Sequence, residues 1–287
     1  MILTDKWQDY AVLETGSGEK LERWGDIVLC RPDPQVIWKC NMKGKSKADA
    51  VYNRSKSGGG SWDFKKSLPE SWTVRYKNLT FKVRPTGFKH TGLFPEQAAN
   101  WDFIGDTIRA ANREIRVLNL FAYTGGATAA AAAAGASVCH VDAAKGMVSW
   151  AKENLALSSL ADKPVRYIVD DVLKFVQREQ RRGNTYHAII MDPPSYGRGP
   201  NGEIWKLENE LYPLVEECAK ILDEKPLFFL INSYTTGLQA SVLSDIMHLS
   251  LGKKFPIREI VAEELGIPVK NQPVVLPCGT TARCLFK

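Results

Sequence analysis

The chemistry-bearing residues of this chain gather at a few turns. Asn119-Leu-Phe-Ala-Tyr-Thr-Gly-Gly-Ala-Thr-Ala sets two glycines between an apolar run and an alanine-rich segment. Glycine admits backbone conformations closed to other residues, so Gly125 and Gly126 let the chain pass close to a ligand. A helix opening there presents free N–H groups and a positive dipole end, which suits a nucleotide-like cofactor. A further apolar run ends at Asp142, where a carboxylate can accept both hydroxyls of a ribose. That arrangement serves NAD as well as S-adenosylmethionine. The NAD fingerprint needs three glycines spaced GxGxxG, and here Ala127 stands two places after Gly125.

Two more acidic turns follow. Val169-Asp170-Asp171-Val172 places paired carboxylates at a strand end. One can accept from an adenine amino group while the other caps the next helix, and Asp171 is the choice for adenine. Met191-Asp192-Pro193-Pro194-Ser195-Tyr196-Gly197 is the third turn. Its prolines stiffen the backbone and leave nearby carbonyls short of local N–H partners, so Asp192 and the Pro193 carbonyl are expected to face outward. The Tyr196 ring then offers a base a surface on which to stack.

These turns require a scaffold that brings strand ends together. Apolar runs and helical patterns alternate from Val117 onward: strands at 117–121, 137–141, 166–169, 188–191, 227–231, near 257–261 and at 283–286 are separated by helices. A helix led by Pro95 precedes them, with Trp101, Ile104 and Ile108 on one face. Alternation of this kind predicts a mainly parallel sheet covered on both faces, with ligands outside the C-terminal strand ends. The first ninety residues differ. Their short apolar runs lack helical period, Ser55–Ser61 reads as a flexible loop, and two alternating runs flanking Lys77-Asn78 predict a β-hairpin.

At this point the chain resembles a known family, the bacterial large-subunit ribosomal RNA methyltransferases that make 5-methylcytosine or 7-methylguanosine. The matching residues are Gly92-Leu-Phe-Pro-Glu-Gln, Asn119-Leu-Phe-Ala-Tyr-Thr-Gly-Gly, Val141-Asp142, Ala151-Lys-Glu-Asn, Asp170-Asp171-Val172 and Met191-Asp-Pro-Pro-Ser-Tyr. The resemblance covers about residues 91–232 well and the tail weakly. It implies an S-adenosylmethionine cofactor held by Gln97, Tyr123, Thr124, Gly125, Asp142, Asp171 and Asp192. It also implies a doubly wound α/β, Rossmann-like sheet of seven strands with the last antiparallel, behind a small β-rich N-terminal domain. The expected boundaries are 1–90 for that domain and 91–287 for the methyltransferase domain. Two departures matter. The 5-methylcytosine members begin with a compact RNA-binding domain that has no recognisable counterpart in residues 1–39, so RNA targeting is expected to rest on the basic hairpin segment. Their catalytic motif also differs. The 5-methylcytosine members carry Ser-Cys-Ser after the fifth strand, where this chain reads Asn232-Ser233-Tyr234-Thr235. Cytosine C5 is a poor nucleophile until a thiolate adds at C6, so the expected target is a base nitrogen, with Asp192, Pro193 and Tyr196 orienting the base.

Composition bounds the partners. The 287 residues carry a net charge of +6, yet residues 39–89 hold 13 Lys or Arg against three acids. A local basic excess suits a polyanion, because neutralised phosphates release counterions; RNA, ribosomal RNA first, is the expected partner. Six scattered cysteines without metal-ligand spacing imply reduced thiols and no metal. No apolar run reaches membrane-spanning length, and the polar start lacks a signal-peptide pattern, so a cytoplasmic protein is expected. Two rivals stand beside the RNA reading. One is a methyltransferase of a small molecule or protein; the other is a non-catalytic protein that binds S-adenosylmethionine or RNA.

Overall fold

A computed structural model describes residues 1–55, 59–198, 204–235 and 237–287. Part of the expected 55–61 loop and of the segment after Arg198 thus lies outside the described residues. The chain forms two compact units: Ile2–Ala99 with Gly266–Cys278, and Met1 with Asn100–Leu265 and Gly279–Lys287.

The first unit holds the short strand β1 (Ile2–Leu3) and β2 (Tyr10–Gly16), β3 (Glu19–Trp24), β4 (Ile27–Pro32), β5 (Ala50–Arg54) and β6 (Gly60–Phe64). The last five make one sheet in that order, antiparallel except for the parallel β4–β5 pair. β7 (Trp72–Tyr76) and β8 (Leu79–Val83) form the expected hairpin, with Lys77 left-handed at φ 52° in its two-residue turn. A charged cluster is buried among these strands. Glu22 accepts two bonds from Arg31 and one from the Tyr10 hydroxyl, and Lys20 bridges towards Asp33. Burial alone would raise the Glu22 carboxyl, but the Arg31 and Lys20 charges hold it down at about 2.

After the 3-10 turn Pro95–Gln97 comes α1 (Ala98–Ala111), which leads to the alternating part. Its elements are β9 (Arg116–Leu120), α2 (Gly126–Ala133), β10 (Ser137–Asp142), α3 (Lys145–Leu157), β11 (Val165–Val169), α4 (Val172–Arg181) and β12 (Ala188–Met191). They continue with the short pair β13 (Tyr196–Arg198) and β14 (Ile204–Lys206), then α5 (Leu207–Ala219), β15 (Phe228–Ser233), α6 (Ala240–Leu251), β16 (Ile257–Pro268) and β17 (Val275–Phe286). Seven strands in the order β16-β17-β15-β12-β9-β10-β11 give the doubly wound arrangement, and the expected count of seven is corrected to eight by the two-residue β1, which stands beyond β16. β9, β10, β11, β12 and β15 run parallel, and β17 is antiparallel to β15.

The central strands β9, β12 and β15 are buried on both faces, which is why they read as continuous apolar runs: Ile189, Met191, Phe229 and Ile231 pack against Leu214, Val215 and Leu243 of the helices. The strand order reverses between β9 and β12, so a crevice outside their C-terminal ends is where a sheet of this kind takes its ligand. Among the described residues no helix is long and apolar enough to cross a membrane.

Candidate active site

The turn after β9 is bent by three left-handed residues in alternation, Phe121 (φ 53°), Tyr123 (φ 49°) and Gly125 (φ 83°). Non-glycine residues enter this region only at an energetic cost, so something must hold them there. Asp142 does so for Tyr123: its Oδ2 accepts the Tyr123 N–H at 2.8 Å, and its Oδ1 accepts the Ala144 N–H at 2.8 Å. Burial raises the Asp142 carboxyl above its usual range, while the two amide bonds act the other way. Each oxygen keeps a lone pair beyond these bonds. A carboxylate with two unused acceptor positions at a strand end fits the two hydroxyls of a ribose, so the donor set suits S-adenosylmethionine.

The two glycines have a packing reason as well. A Cβ on Gly125 would stand 2.9 Å from the Cβ of Ala151 in α3, and one on Gly126 would stand 2.6 Å from the Trp101 ring of α1. Close approach of helices, not only of a ligand, therefore requires glycine at both places. Thr124 is buried and its carbonyl accepts from Asn154 Nδ2 at 2.8 Å. This gives the Asn154 of Ala151-Lys-Glu-Asn a role in fixing the turn. Under it runs a buried chain: Asn119 Nδ2 donates to Thr128 Oγ1, and the Thr128 hydroxyl shares a hydrogen bond with His140 Nδ1, each at 2.9 Å. Burial pushes the His140 imidazole down to about 4.

At the end of β11 the expected division is corrected: Asp171, expected to reach adenine while its neighbour caps the helix, is itself the cap. Asp170 pairs with Arg178 and accepts the Asp171 N–H, while Asp171 Oδ1 caps α4 by accepting the Lys174 N–H at 2.9 Å. The cap leaves the second oxygen of Asp171 unused. Val169, the register partner of Asp142, is an apolar side chain 49% exposed at this edge. The sequence reading passed over it, because a valine closing a strand gives no signal of its own.

The turn after β12 is tied down from two sides. Trp205 Nε1 donates to the Pro194 carbonyl at 2.6 Å and its ring lies 5.2 Å from that of Phe121, while Ser195 and Thr235 hydroxyls meet at 2.6 Å. The expectation that carbonyls around both prolines point outward therefore needs correction at Pro194, whose acceptor is taken by Trp205. Asp192 is half-buried, Pro193 buried, and Tyr196 is 50% exposed at the start of β13. Trp205 joins the Phe121 turn to the Asp192 turn, and only the β13–β14 pairing, invisible to periodicity over three-residue strands, brings it there.

Gln97 ends the 3-10 turn of the first unit, and its role as a cofactor contact rests on the resemblance. Near the end of β15, Asn232 is buried and accepts from Asn100 Nδ2 at 2.8 Å. No thiol stands in the loop that follows. Cys284 is fully buried beside Phe229 on the sheet, and burial raises its thiol to about 12. Among the described residues no cluster of three or more His, Cys, Asp or Glu forms a metal site.

Comparison with known proteins agrees with this geometry. A family model described as S-adenosylmethionine-dependent methyltransferase matches residues 48–207. The crystal structure of the SAM-dependent methyltransferase from Agrobacterium tumefaciens is 36% identical, with a TM-score of 0.92 over 100% of this chain and 94% of that one. Ribosomal RNA large subunit methyltransferase K/L of Shewanella frigidimarina is 28% identical over 77% of this chain and 31% of its own length. Ribosomal RNA large subunit methyltransferase K of Neisseria meningitidis is 24% identical over 81% of this chain and 61% of its own length. The chain thus spans from about a third to three fifths of these curated relatives. It belongs to the S-adenosylmethionine-dependent methyltransferase family, in the class that resembles the large-subunit ribosomal RNA methyltransferases.

Proposed function

We propose that this chain methylates a base nitrogen of RNA, ribosomal RNA first. The observation that carries the reading is the Asp192-Pro193-Pro194-Ser195-Tyr196 turn, braced by Trp205 and Thr235, with an exposed aromatic ring beside the crevice at which the strand order reverses. Support comes from the names of the two curated relatives above, both ribosomal RNA methyltransferases. S-adenosylmethionine, when bound, supplies a methyl group already activated on a sulfonium.

The protein's task is then mainly positioning, because such a transfer needs an in-line approach near 3 Å more than acid or base chemistry. Tyr196 stacks the base, and the Asp192 carboxylate accepts from its amino or ring N–H. The Pro193 carbonyl offers a second acceptor. Asp142 holds the ribose, Asp171 the adenine amino group, and Tyr123, Thr124 and Gly125 line the turn between them. Where the target lies in a duplex, the base must first leave the stack. The lack of a thiol after β15 favours nitrogen over cytosine C5. In the division proposed, residues 1–90 face the RNA and residues 91–287 carry the transfer.

The experiment is nucleoside mass spectrometry of ribosomal RNA from a strain lacking this gene beside its parent. The expected result is loss of one N-methylated nucleoside that the purified protein restores in vitro. Identical nucleoside profiles would overturn the reading.

A further inference from the structure

The basic excess of residues 39–89 looks different once the partners are seen. Lys65 pairs with Asp63, Lys66 with Asp49, Lys45 with Glu19, Arg75 with Asp9 and Arg84 with Glu70. Two of these acids, Asp9 and Glu19, lie outside the basic stretch. Two of the remaining cations, Arg54 and Lys89, stand near one another in the first unit. Along β5, Ala50, Tyr52 and Arg54 share a face, and their cross-strand partners Phe64, Trp62 and Gly60 share it with them. The opposite face carries Val51 into the core with Leu21, Cys30 and Met42.

Aromatic rings line the first face. Tyr52 and Trp62 meet edge to face at 5.3 Å, and Trp62 and Phe64 stack at 6.3 Å with planes 28° apart. Both polar ends are anchored on one loop: the Tyr52 hydroxyl donates to the Gly87 carbonyl and Trp62 Nε1 to that of Thr86. The next residue of that loop is Phe88, 72% exposed, and Phe64 is 52% exposed. Lys89 follows, half-buried, with the charges of Arg54, Lys20 and Arg31 near enough to depress its ammonium further after burial has done so, against the pull of Asp33. Neither Arg54 nor Lys89 is in an ion pair among the described residues.

Exposed rings beside cations outside any ion pair among the described residues are what unpaired nucleotides require: every base has a face to stack, and every phosphate a charge to neutralise. A helical duplex hides its base faces. We infer that this face of the first unit binds single-stranded RNA, stacking bases on Trp62, Phe64 and Phe88 and placing phosphates near Arg54 and Lys89. The inference rests on the RNA reading above and names the form of RNA that the first unit takes.

The test is fluorescence anisotropy of the full chain with a labelled 12-nucleotide single-stranded RNA, beside a blunt duplex of the same sequence. Phe88→Ala should weaken single-strand binding about 5- to 100-fold, the range for a base on an aromatic platform, with Phe88→Trp restoring it and Phe88→Leu failing to. The salt slope should survive Phe88→Ala but flatten by about 0.7 in Arg54→Ala and again in Lys89→Ala. Duplex binding should ignore Phe88. Because Phe88 is exposed, unchanged thermal melting is expected and separates lost contact from lost fold. Parental single-strand affinity in both Phe88→Ala and Phe64→Ala, in a chain that still methylates RNA, overturns this inference and leaves the function reading standing. Phe88-dependent binding with no missing nucleoside in the deletion strain does the reverse. Self-association that disappears in Phe88→Ala without any change in RNA affinity would mark the patch as protein-facing, and also overturns it.

Discussion

Replacing Asp142 by alanine separates the support it gives the turn from the ribose contact proposed for the same carboxylate. Without cofactor, the substitution strips acceptors from the Tyr123 and Ala144 N–H groups. The Ala144 bond is exposed, so water replaces it at little cost. The Tyr123 bond is partly buried, and leaving that donor unmet costs about 1 to 3 kcal/mol. Tyr123 is left-handed, so without its bond it is free to relax and flatten the turn. With cofactor, the ribose hydroxyls lose a charged acceptor, a further 1.5 to 3 kcal/mol or about 10- to 150-fold in affinity. Asp142→Asn keeps one acceptor oxygen for Tyr123 while removing the charge. Urea denaturation should therefore show a clear loss for alanine and a smaller one for asparagine. Titration calorimetry with S-adenosylhomocysteine should show at least about a tenfold loss for both. Unchanged affinity in Asp142→Ala refutes the ribose assignment. Full affinity in asparagine with loss only in alanine would reduce Asp142 to a support for the turn.

Two other outcomes follow from contacts already described. Gly126→Ala should cost about 1 to 3 kcal/mol by urea denaturation, because Trp101 is 4% exposed and has no room to retreat; Gly146→Ala in α3, which meets nothing within 4 Å, should be neutral or slightly stabilising. Glu22 is held below its unfolded value, so its contribution is present in full above about pH 4.5 and disappears as pH falls through about 2. Glu22→Gln should cost about 3 to 5 kcal/mol at neutral pH by stranding the Arg31 charge, and should flatten that acid dependence, read from fluorescence of the buried Trp24.

The alternating part of the chain is legible because its central strands β9, β12 and β15 are buried on both faces and each helix is long enough to show its period. β12 begins and ends where the apolar run does, at Ala188 and Met191. The acidic strand ends were visible for the same reason: a carboxylate directly after four or five apolar residues has few other places to be. What escaped depends on pairing between distant residues. The first unit is built from short strands whose register nothing local specifies, so Arg31 and Asp33 read as a break in the chain and instead lie buried around Glu22 and Lys20. Trp205 carries no local signal, since its bond to Pro194 exists only after β13 and β14 pair. Counting charges failed similarly at Lys45 and Arg75, whose partners come from outside the counted stretch.

The segment Gly266–Cys278 belongs to the first unit although some 170 residues separate it from the rest. It covers the open edge of β2: Lys270 and Asn271 donate backbone N–H groups to Val12 and Leu13, and Gln272 closes a three-bond clasp on Thr15. During synthesis that edge must wait, bare, while the whole alternating sheet is made, because its cover emerges from the ribosome much later. At about 5 to 20 residues per second the wait lasts on the order of ten seconds or more. An uncovered strand edge is a template for joining another chain. The polar Glu14 and Thr15, which bond Gly44 and Gln272 once the unit is complete, interrupt the apolar run of that edge while it is bare.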